Sequence, residues 1–332
     1  MDDWLTGAQR TLAPAVLVTV ATTEGSVPRE AGAHMLVTSS TQFDTIGGGH
    51  LELKAMALAR AMLVDGRTRH FERFPLGPSL GQCCGGVAHL LFERFDPAQR
   101  ARLQRRRDVD TFRLLALDGA ASALCDASGK VLSGDAVPAF DADAGTHVMR
   151  DQDGRRWLVD AVLAPRAHLF LFGAGHVGAA IVRLLGSLPC RVTWVDERED
   201  QFPDSVPANV HIEATDTPEA SAASAPRGAS FLVMTHSHAL DQRLCEAILA
   251  RDSADWFGLI GSMTKRRQFE HRLRARGLDH DRIDAMVCPI GVPGVTGKQP
   301  AVIAIAVVAQ LLSVWEARHT APAARAVSSE RS

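Results

Sequence analysis

The stretch Ala167-His-Leu-Phe-Leu-Phe-Gly-Ala-Gly-His-Val-Gly178 constrains the fold of this chain more than any other. Leu169 to Phe172 is a short apolar run of the kind that forms a buried strand. It ends in Gly173-x-Gly175-x-x-Gly178, and apolar helical spacing follows at once through Val177, Ile181, Leu184 and Leu185. Gly173 permits a tight strand-to-helix turn, Gly175 lets backbone approach a phosphate, and Gly178 lets the helix lie close to the strand. His176 opens the helix, whose first N–H groups and dipole favour an anion. A second strand, Arg191 to Val195, leads to Asp196, 18 residues after Gly178. A dinucleotide fold places its ribose-binding carboxylate there. Strand, glycines, helix, strand and acid in this order predict a Rossmann-like unit, although the fold alone does not say what is bound.

The remaining segments of that half continue the pattern. Val210–Ile212 reads as a third parallel strand, with a loose helix and loop over residues 218–230. Phe231–Thr235 is a buried strand ending at His236-Ser-His238, with Asp241 near the start of the next helix. Ligands of a doubly wound sheet sit beyond the carboxyl ends of its strands, so these histidines fall at the functional edge. His-x-His with Asp admits three readings: a metal, a ligand contact, or a helix cap with loop hydrogen bonds. Trp256–Ile260 is a further buried strand, and Ser262 suits the cap of the helix after it. Lys265 and Arg266 lie near that helix start, where cations oppose the dipole and an anion would relieve the conflict. Arg198 either meets a phosphate or pairs with a neighbouring carboxylate. Pro300 suits the first turn of a final helix, residues 300–316, apolar nearly all round and therefore buried in a core or a subunit interface.

With 332 residues the chain has room for two domains, and the Ala164-Pro-Arg166 segment reads as their boundary. The expectation is an N-terminal α+β domain over 1–164, a Rossmann-like doubly wound parallel sheet over 165–317, and a disordered tail over 318–332. The formal net charge of −2 argues against a general nucleic-acid binder. No basic region precedes an apolar core at the N-terminus, and the apolar run 301–309 is too short to cross a bilayer. Six cysteines without a C-x-x-C spacing fit reduced thiols and a cytoplasmic protein. Cys125, Cys190, Cys245 and Cys288 lie in or beside apolar segments and read as structural.

The first half holds two further glycine-rich stretches. Residues 15–21 and 34–38 read as strands, 43–46 as a third, and 3–13 as a short amphipathic helix. Between the first two strands lies Glu24-Gly-Ser-Val-Pro-Arg29. Ile46-Gly-Gly-Gly-His-Leu-Glu52 then opens a helix over 51–64, and Gly48 and Gly49 form either an anion-accepting loop or a turn. Gly81-Gln-Cys-Cys-Gly-Gly86 places Cys83 and Cys84 side by side. A vicinal disulfide would be strained, so the pair reads as a free dithiol suited to a soft metal or sulfur centre, or as two small residues in a turn. Strands 87–92 and 112–117 flank a basic stretch, 100–107, read as a solvated helix face, and 120–163 reads as β-hairpins.

These stretches, with Phe172-Gly-Ala-Gly-His-Val-Gly178, Thr235-His-Ser-His-Ala-Leu-Asp241, Gly261-Ser-Met-Thr-Lys-Arg266 and Gly297-Lys-Gln-Pro-Ala301, resemble the XdhC/CoxI family to about residue 316. The resemblance implies a non-enzymatic chaperone that binds the molybdenum cofactor (molybdopterin), shields it during sulfuration by a cysteine desulfurase, and delivers it to apo-xanthine dehydrogenase. From the softness of the thiols, Cys83 or Cys84 is expected at the molybdenum or dithiolene end. The phosphate or pterin falls at Gly173, Gly175 and Gly178 with Asp196 and His236, and a homodimer is the expected assembly. Two alternatives stay open, an NAD(P)-dependent oxidoreductase and a nucleotide-binding sensor. Asp196 would favour NAD over NADP in the first, which leaves the Cys83–Cys84 loop without a role.

Overall fold

The structure, a computed structural model, describes residues 4, 5, 7, 13–77, 85–251 and 256–320. The chain divides into two compact units, Met1–Ala164 and Pro165–Ser332.

The first unit carries two antiparallel five-stranded sheets. One has the order β3-β2-β1-β5-β4, built from β1 (Ala15–Glu24), β2 (His34–Thr38), β3 (Gln42–Asp44), β4 (Arg69–Pro75) and β5 (Val87–Phe95). The other has the order β8-β7-β6-β10-β9, built from β6 (Thr111–Ala116), β7 (Ser122–Asp126), β8 (Val131–Gly134), β9 (His147–Arg150) and β10 (Arg156–Val162). Among the described residues the unit also carries helices α1 (Gly49–Asp65) and α2 (Pro97–Arg105). The alternation of β1 explains the layering, because successive side chains leave a strand on opposite faces. Val16, Val18 and Val20 pack with Leu51, Ala55 and Ala59 of α1. Ala21 packs on the other side with Leu115 and Leu158 of the second sheet. Strand β4 carries no clear strand pattern in the sequence. It is an edge strand carrying Arg69, Glu72 and Arg73, charges that guard a free edge and mask the apolar alternation.

A second departure lies in the basic stretch. Arg100 is not on a solvated face; it is buried and donates to the carbonyls of Phe95 and Ala13. A guanidinium with a long apolar stem tolerates this when carbonyl acceptors meet its donors. The expected helix over 3–13 and the Cys83–Cys84 loop fall largely or wholly outside the described residues.

The second unit is a parallel sheet of order β13-β12-β11-β14-β15. Its strands are β11 (Ala167–Phe172), β12 (Cys190–Asp196), β13 (Val210–Ala214), β14 (Ser230–Val233) and β15 (Trp256–Leu259). The helices are α3 (His176–Leu185), α4 (Pro218–Ser224), α5 (His238–Leu249), α6 (Met263–Ala275), α7 (His280–Ala285) and α8 (Pro300–Thr320). The chain reverses direction across the sheet between β11 and β14, which makes their carboxyl ends the switch point. Leu169 and Leu171 face the core that includes Ile181 of α3 and Val307 of α8, whereas Phe170 and Phe172 face Leu244 of α5 and Phe269 of α6. Buried on both sides, β11, β12, β14 and β15 read as near-continuous apolar runs, whereas the edge strand β13 is partly exposed.

Helix α8 corrects the apolar run taken as too short to cross a bilayer. It has 21 residues, and Pro300–Arg318 is long and apolar enough to cross a membrane by length and composition. Its packing shows what that apolarity serves. Ala304, Val307, Leu311 and Trp315 are buried in the sheet core, and Trp315 Nε1 donates to Ser230 Oγ at 3.1 Å. The helix also overruns the expected start of the tail at 318; residues 321–332 lie outside the described set.

Candidate functional site

The glycine fingerprint of the second unit sits at the switch point. Gly173 has φ 120°, and a Cβ there would stand 2.4 Å from the Met234 carbonyl oxygen. That contact joins the glycine loop to the end of β14, just before Thr235 and His236. A Cβ on Gly178 would stand 2.3 Å from the Gly173 carbonyl oxygen, so the helix lies against its own loop. Trp194 Nε1, donating to that carbonyl at 3.0 Å, fixes the loop from below. Gly173→Ala is therefore expected to destabilise the chain by about 1–3 kcal/mol from backbone strain alone. Thermal unfolding checks this, and an alanine variant with wild-type Tm would contradict it.

Gly175 differs from the other two. Nothing lies within 4 Å of where its Cβ would stand, and as N-cap it gives α3 no side-chain hydrogen bond. Gly175 and His176 are exposed. The helix start is thus uncapped and open, able to present N–H groups to an anionic ligand.

Asp196 is at the expected place, the end of β12, with its side chain 3% exposed. Its carboxylate is fully engaged within the chain. Oδ2 accepts from Ala174 N–H at 2.6 Å and Arg198 Nη2 at 3.0 Å. Oδ1 accepts from Arg198 N–H at 3.0 Å and Arg198 Nε at 2.9 Å. Burial pushes its pKa up, but the Arg198 and Ala174 hydrogen bonds outweigh that and hold it below the usual carboxylate range. Of the two partners open to Arg198, a phosphate and a neighbouring carboxylate, the structure shows the carboxylate.

The motif around Asp241 meets the one around Lys265. Asp241 is fully buried; Oδ2 accepts from Lys265 Nζ at 2.6 Å, and Oδ1 accepts from Thr235 Oγ1 at 2.8 Å and Thr235 N–H at 3.1 Å. Lys265 also donates to the Ile260 carbonyl at 2.8 Å. The anion expected to relieve the cation at the α6 start is therefore Asp241 itself. Ser262 caps α6 by accepting from Lys265 N–H at 3.3 Å. His236 and His238 are exposed, His238 edge-on to Phe269, and no group arranged to hold a metal exists among the described residues. Thr235 and Trp194 are site-shaping residues that spacing alone did not single out. Lys265 and Asp241 did carry a signal: each follows the carboxyl end of a buried strand.

In the first unit three motif loops converge at one edge of the first sheet. A Cβ on Gly47 would stand 2.3 Å from Pro28 Cβ, and Arg29 Nη1 donates to the Thr45 carbonyl at 3.2 Å. Gly86 N–H donates to the Ser26 carbonyl at 3.0 Å, and a Cβ on Gly86 would stand 2.4 Å from that oxygen. Leu76 N–H donates to the Gly86 carbonyl at 2.9 Å. The segment holding Cys83 and Cys84, itself outside the described residues, thus springs from a base anchored on the Glu24–Arg29 loop.

Glu52 closes the triple-glycine loop from inside. Its carboxylate accepts from Ile46 N–H at 3.2 Å, Gly48 N–H at 3.1 Å and Gln42 Nε2 at 2.7 Å, and from the Thr45 hydroxyl. Burial raises its pKa, but these donors together outweigh the burial and lower it. Gly48, φ 75°, precedes Gly49 at the start of α1 and has nothing near its Cβ position. The remaining cysteines are as read: Cys125, Cys190, Cys245 and Cys288 are free and buried. Burial pushes the Cys190 thiol up to about 12 and the Cys245 thiol well above its ordinary value, so neither is a nucleophile near neutral pH.

With this geometry in view, the comparisons decide the family. Residues 169–311 match the XdhC Rossmann domain, and residues 8–75 match the XdhC and CoxI family. The chain belongs to the XdhC and CoxI family. The two matched segments of this family hold the fingerprint and the Thr235–Asp241 and Gly261–Arg266 motifs in one unit, and the Glu24–Arg29 and Thr45–Glu52 motifs in the other. A crystal structure of a xanthine dehydrogenase from Bacillus halodurans is 23% identical, covers 98% of each chain and superposes with a TM-score of 0.75, a likeness of fold. No curated protein matches the sequence.

Proposed function

We propose that this chain is a maturation factor for xanthine dehydrogenase. It binds the molybdenum cofactor, shelters it while a cysteine desulfurase supplies its terminal sulfur, and passes it to the apo-enzyme. On this reading it acts as a cytoplasmic homodimer and turns over no substrate itself. Membership of the XdhC and CoxI family and the fold shared with the xanthine dehydrogenase structure from Bacillus halodurans support it.

The observation that carries the proposal is the convergence of the Glu24–Arg29, Thr45–Glu52 and Gly85–Gly86 loops at the base of the Cys83–Cys84 segment. Hydrogen bonds from Gln42, Thr45, Ile46 and Gly48 to the Glu52 carboxylate hold the Thr45–Glu52 turn together. The donor set fits the group. Two adjacent thiols are soft ligands suited to molybdenum or its dithiolene sulfurs. In the second unit, taken by itself, the uncapped start of α3, with Gly173, Gly175 and Gly178 behind it, is open to an anion such as a phosphate. When bound, the cofactor contributes a soft, redox-active metal; the chain contributes positioning and exclusion of water. Four buried free thiols fit a reducing compartment, and exposed Ile305 on α8 is an apolar surface for a second copy.

The test is the double variant Cys83→Ser/Cys84→Ser, purified natively from cofactor-producing cells. Cofactor is read as the fluorescence of the oxidised pterin, and fold by circular dichroism. The expected result is at least about a tenfold loss of bound pterin with an unchanged fold, as for loss of two ligand bonds. Unchanged retention removes the cysteines from the site. A nicotinamide spectrum in the extract, with no pterin, would instead favour an NAD(P)-dependent oxidoreductase.

A further inference from the structure

The glycine fingerprint and Asp196 together read, in sequence, as a site for a ribose diol. The structure places a different group on that carboxylate. A carboxylate has about four lone-pair positions, and all four on Asp196 are taken, three of them by Arg198. The side chain is 3% exposed and the adjoining cavity, lined by Asp196, Glu197, Thr235 and His236, has a volume of about 10 Å³. A ribose diol finds no free acceptor on that carboxylate. We infer that Arg198 is the specificity-determining residue of the switch point, occupying in cis the acceptors that a ribose diol would use and so excluding nicotinamide dinucleotides.

Arg198 does not substitute a 2′-phosphate site for the diol site. Its guanidinium is paired bidentately with Asp196, and Glu197 and Asp200 lie near enough to raise its pKa further. Glu197 also faces Arg243, at 3.9 Å, which is itself paired with Glu219. A phosphate brought to this edge meets more carboxylates than free cations. Neither NAD nor NADP is therefore accommodated by the wild-type chain. The uncapped start of α3 stays open to a phosphate that carries no ribose diol beside it.

Truncating Arg198 frees one acceptor on each oxygen, since the Arg198 and Ala174 backbone N–H groups remain. Two acceptors side by side match the two hydroxyls of a ribose. Titration calorimetry with NAD+ on the full chain is the test, using Arg198→Ala, Arg198→Lys and Arg198→Ala/Asp196→Asn beside wild type. Arg198→Ala is expected to bind NAD+ at least about tenfold more tightly than wild type, the scale of one charge-assisted hydrogen bond. Arg198→Lys, which makes fewer bonds to the carboxylate, should fall between, and the double variant should lose the gain. NADP+ should show no such gain. Wild type binding NAD+ as tightly as Arg198→Ala overturns the inference, as does a folded Arg198→Ala variant that gains nothing. The readout is the dinucleotide alone, so its failure is separate from failure of cofactor retention.

Discussion

Asp241→Ala is expected to destabilise the second unit by about 3–5 kcal/mol, the cost of removing one partner from a buried ion pair. The carboxylate is completely buried, and Lys265 is 11% exposed and donates to Asp241 and the Ile260 carbonyl. Without Asp241 the ammonium keeps one neutral acceptor and little water. The Thr235 hydroxyl and N–H lose their shared acceptor at the same stroke. The reciprocal variant, Lys265→Met, leaves a buried carboxylate that still holds two hydrogen bonds, so its cost should be somewhat smaller. Asp241→Leu/Lys265→Met should be the mildest of the three relative to the sum of its parts, because no charge is stranded. Denaturant midpoints at fixed protein concentration measure this. If Asp241→Ala stays within about 1 kcal/mol of wild type, a typical surface ion pair would account for it, and the buried-pair argument fails. The effect also reaches the site, since Thr235 leads directly into exposed His236 at the switch point.

The first unit should respond as strongly to Arg113→Met. Arg113 on β6 bridges Asp160 on β10, at 2.7 Å, and Glu93 on β5. His34 on β2 reaches Asp160 at 3.0 Å, and Arg69 on β4 reaches Glu93 at 3.5 Å. The network ties one sheet to the other, and Asp160 is fully buried. Arg113→Met takes the shared guanidinium from two buried carboxylates, leaving Asp160 with His34 and Glu93 with Arg69 at 3.5 Å, so about 3–5 kcal/mol is expected. The pH dependence gives a second readout. Burial raises the Asp160 pKa, but His34 and Arg113 outweigh it and the net direction is down. A carboxylate whose folded pKa lies below its unfolded value of about 4 stabilises the fold above that pH, and the contribution is lost as pH falls through the folded pKa. In Arg113→Met the folded pKa rises, so protonation relieves the variant while it weakens wild type. The gap between them should narrow as pH drops below about 4. A gap that is constant from pH 7 to pH 3, or widens, would show that the guanidinium does not act on Asp160.

Both predictions concern pairs that no local pattern announces. The elements themselves were largely legible. The apolar runs of β11, β12, β14 and β15 are buried on both faces, so each reads as a strand without reference to its neighbours. Gly173 and Gly178 were legible for a related reason, since their task is to remove a Cβ that the backbone geometry forbids. The edge strand β4 was not, because its charges answer to its place in the sheet and not to its conformation. The solvated reading of Arg100 failed likewise: the carbonyl of Ala13 lies 87 residues away in sequence.

The sequence by itself determined the order of strands and helices in the Rossmann-like unit, the glycine positions its turn requires, the burial of four cysteines and the resemblance that the family match confirms. These follow from periodicity and backbone sterics, which act over a few residues. Only the tertiary structure decided where each carboxylate is used: Asp196 on Arg198 and the glycine loop, Glu52 on the Thr45–Gly48 turn, Asp241 on Lys265, Asp160 on Arg113 and His34. The physical reason is that burying a charge is tolerable only beside its partner. Which partner is near depends on how the strands and helices come together.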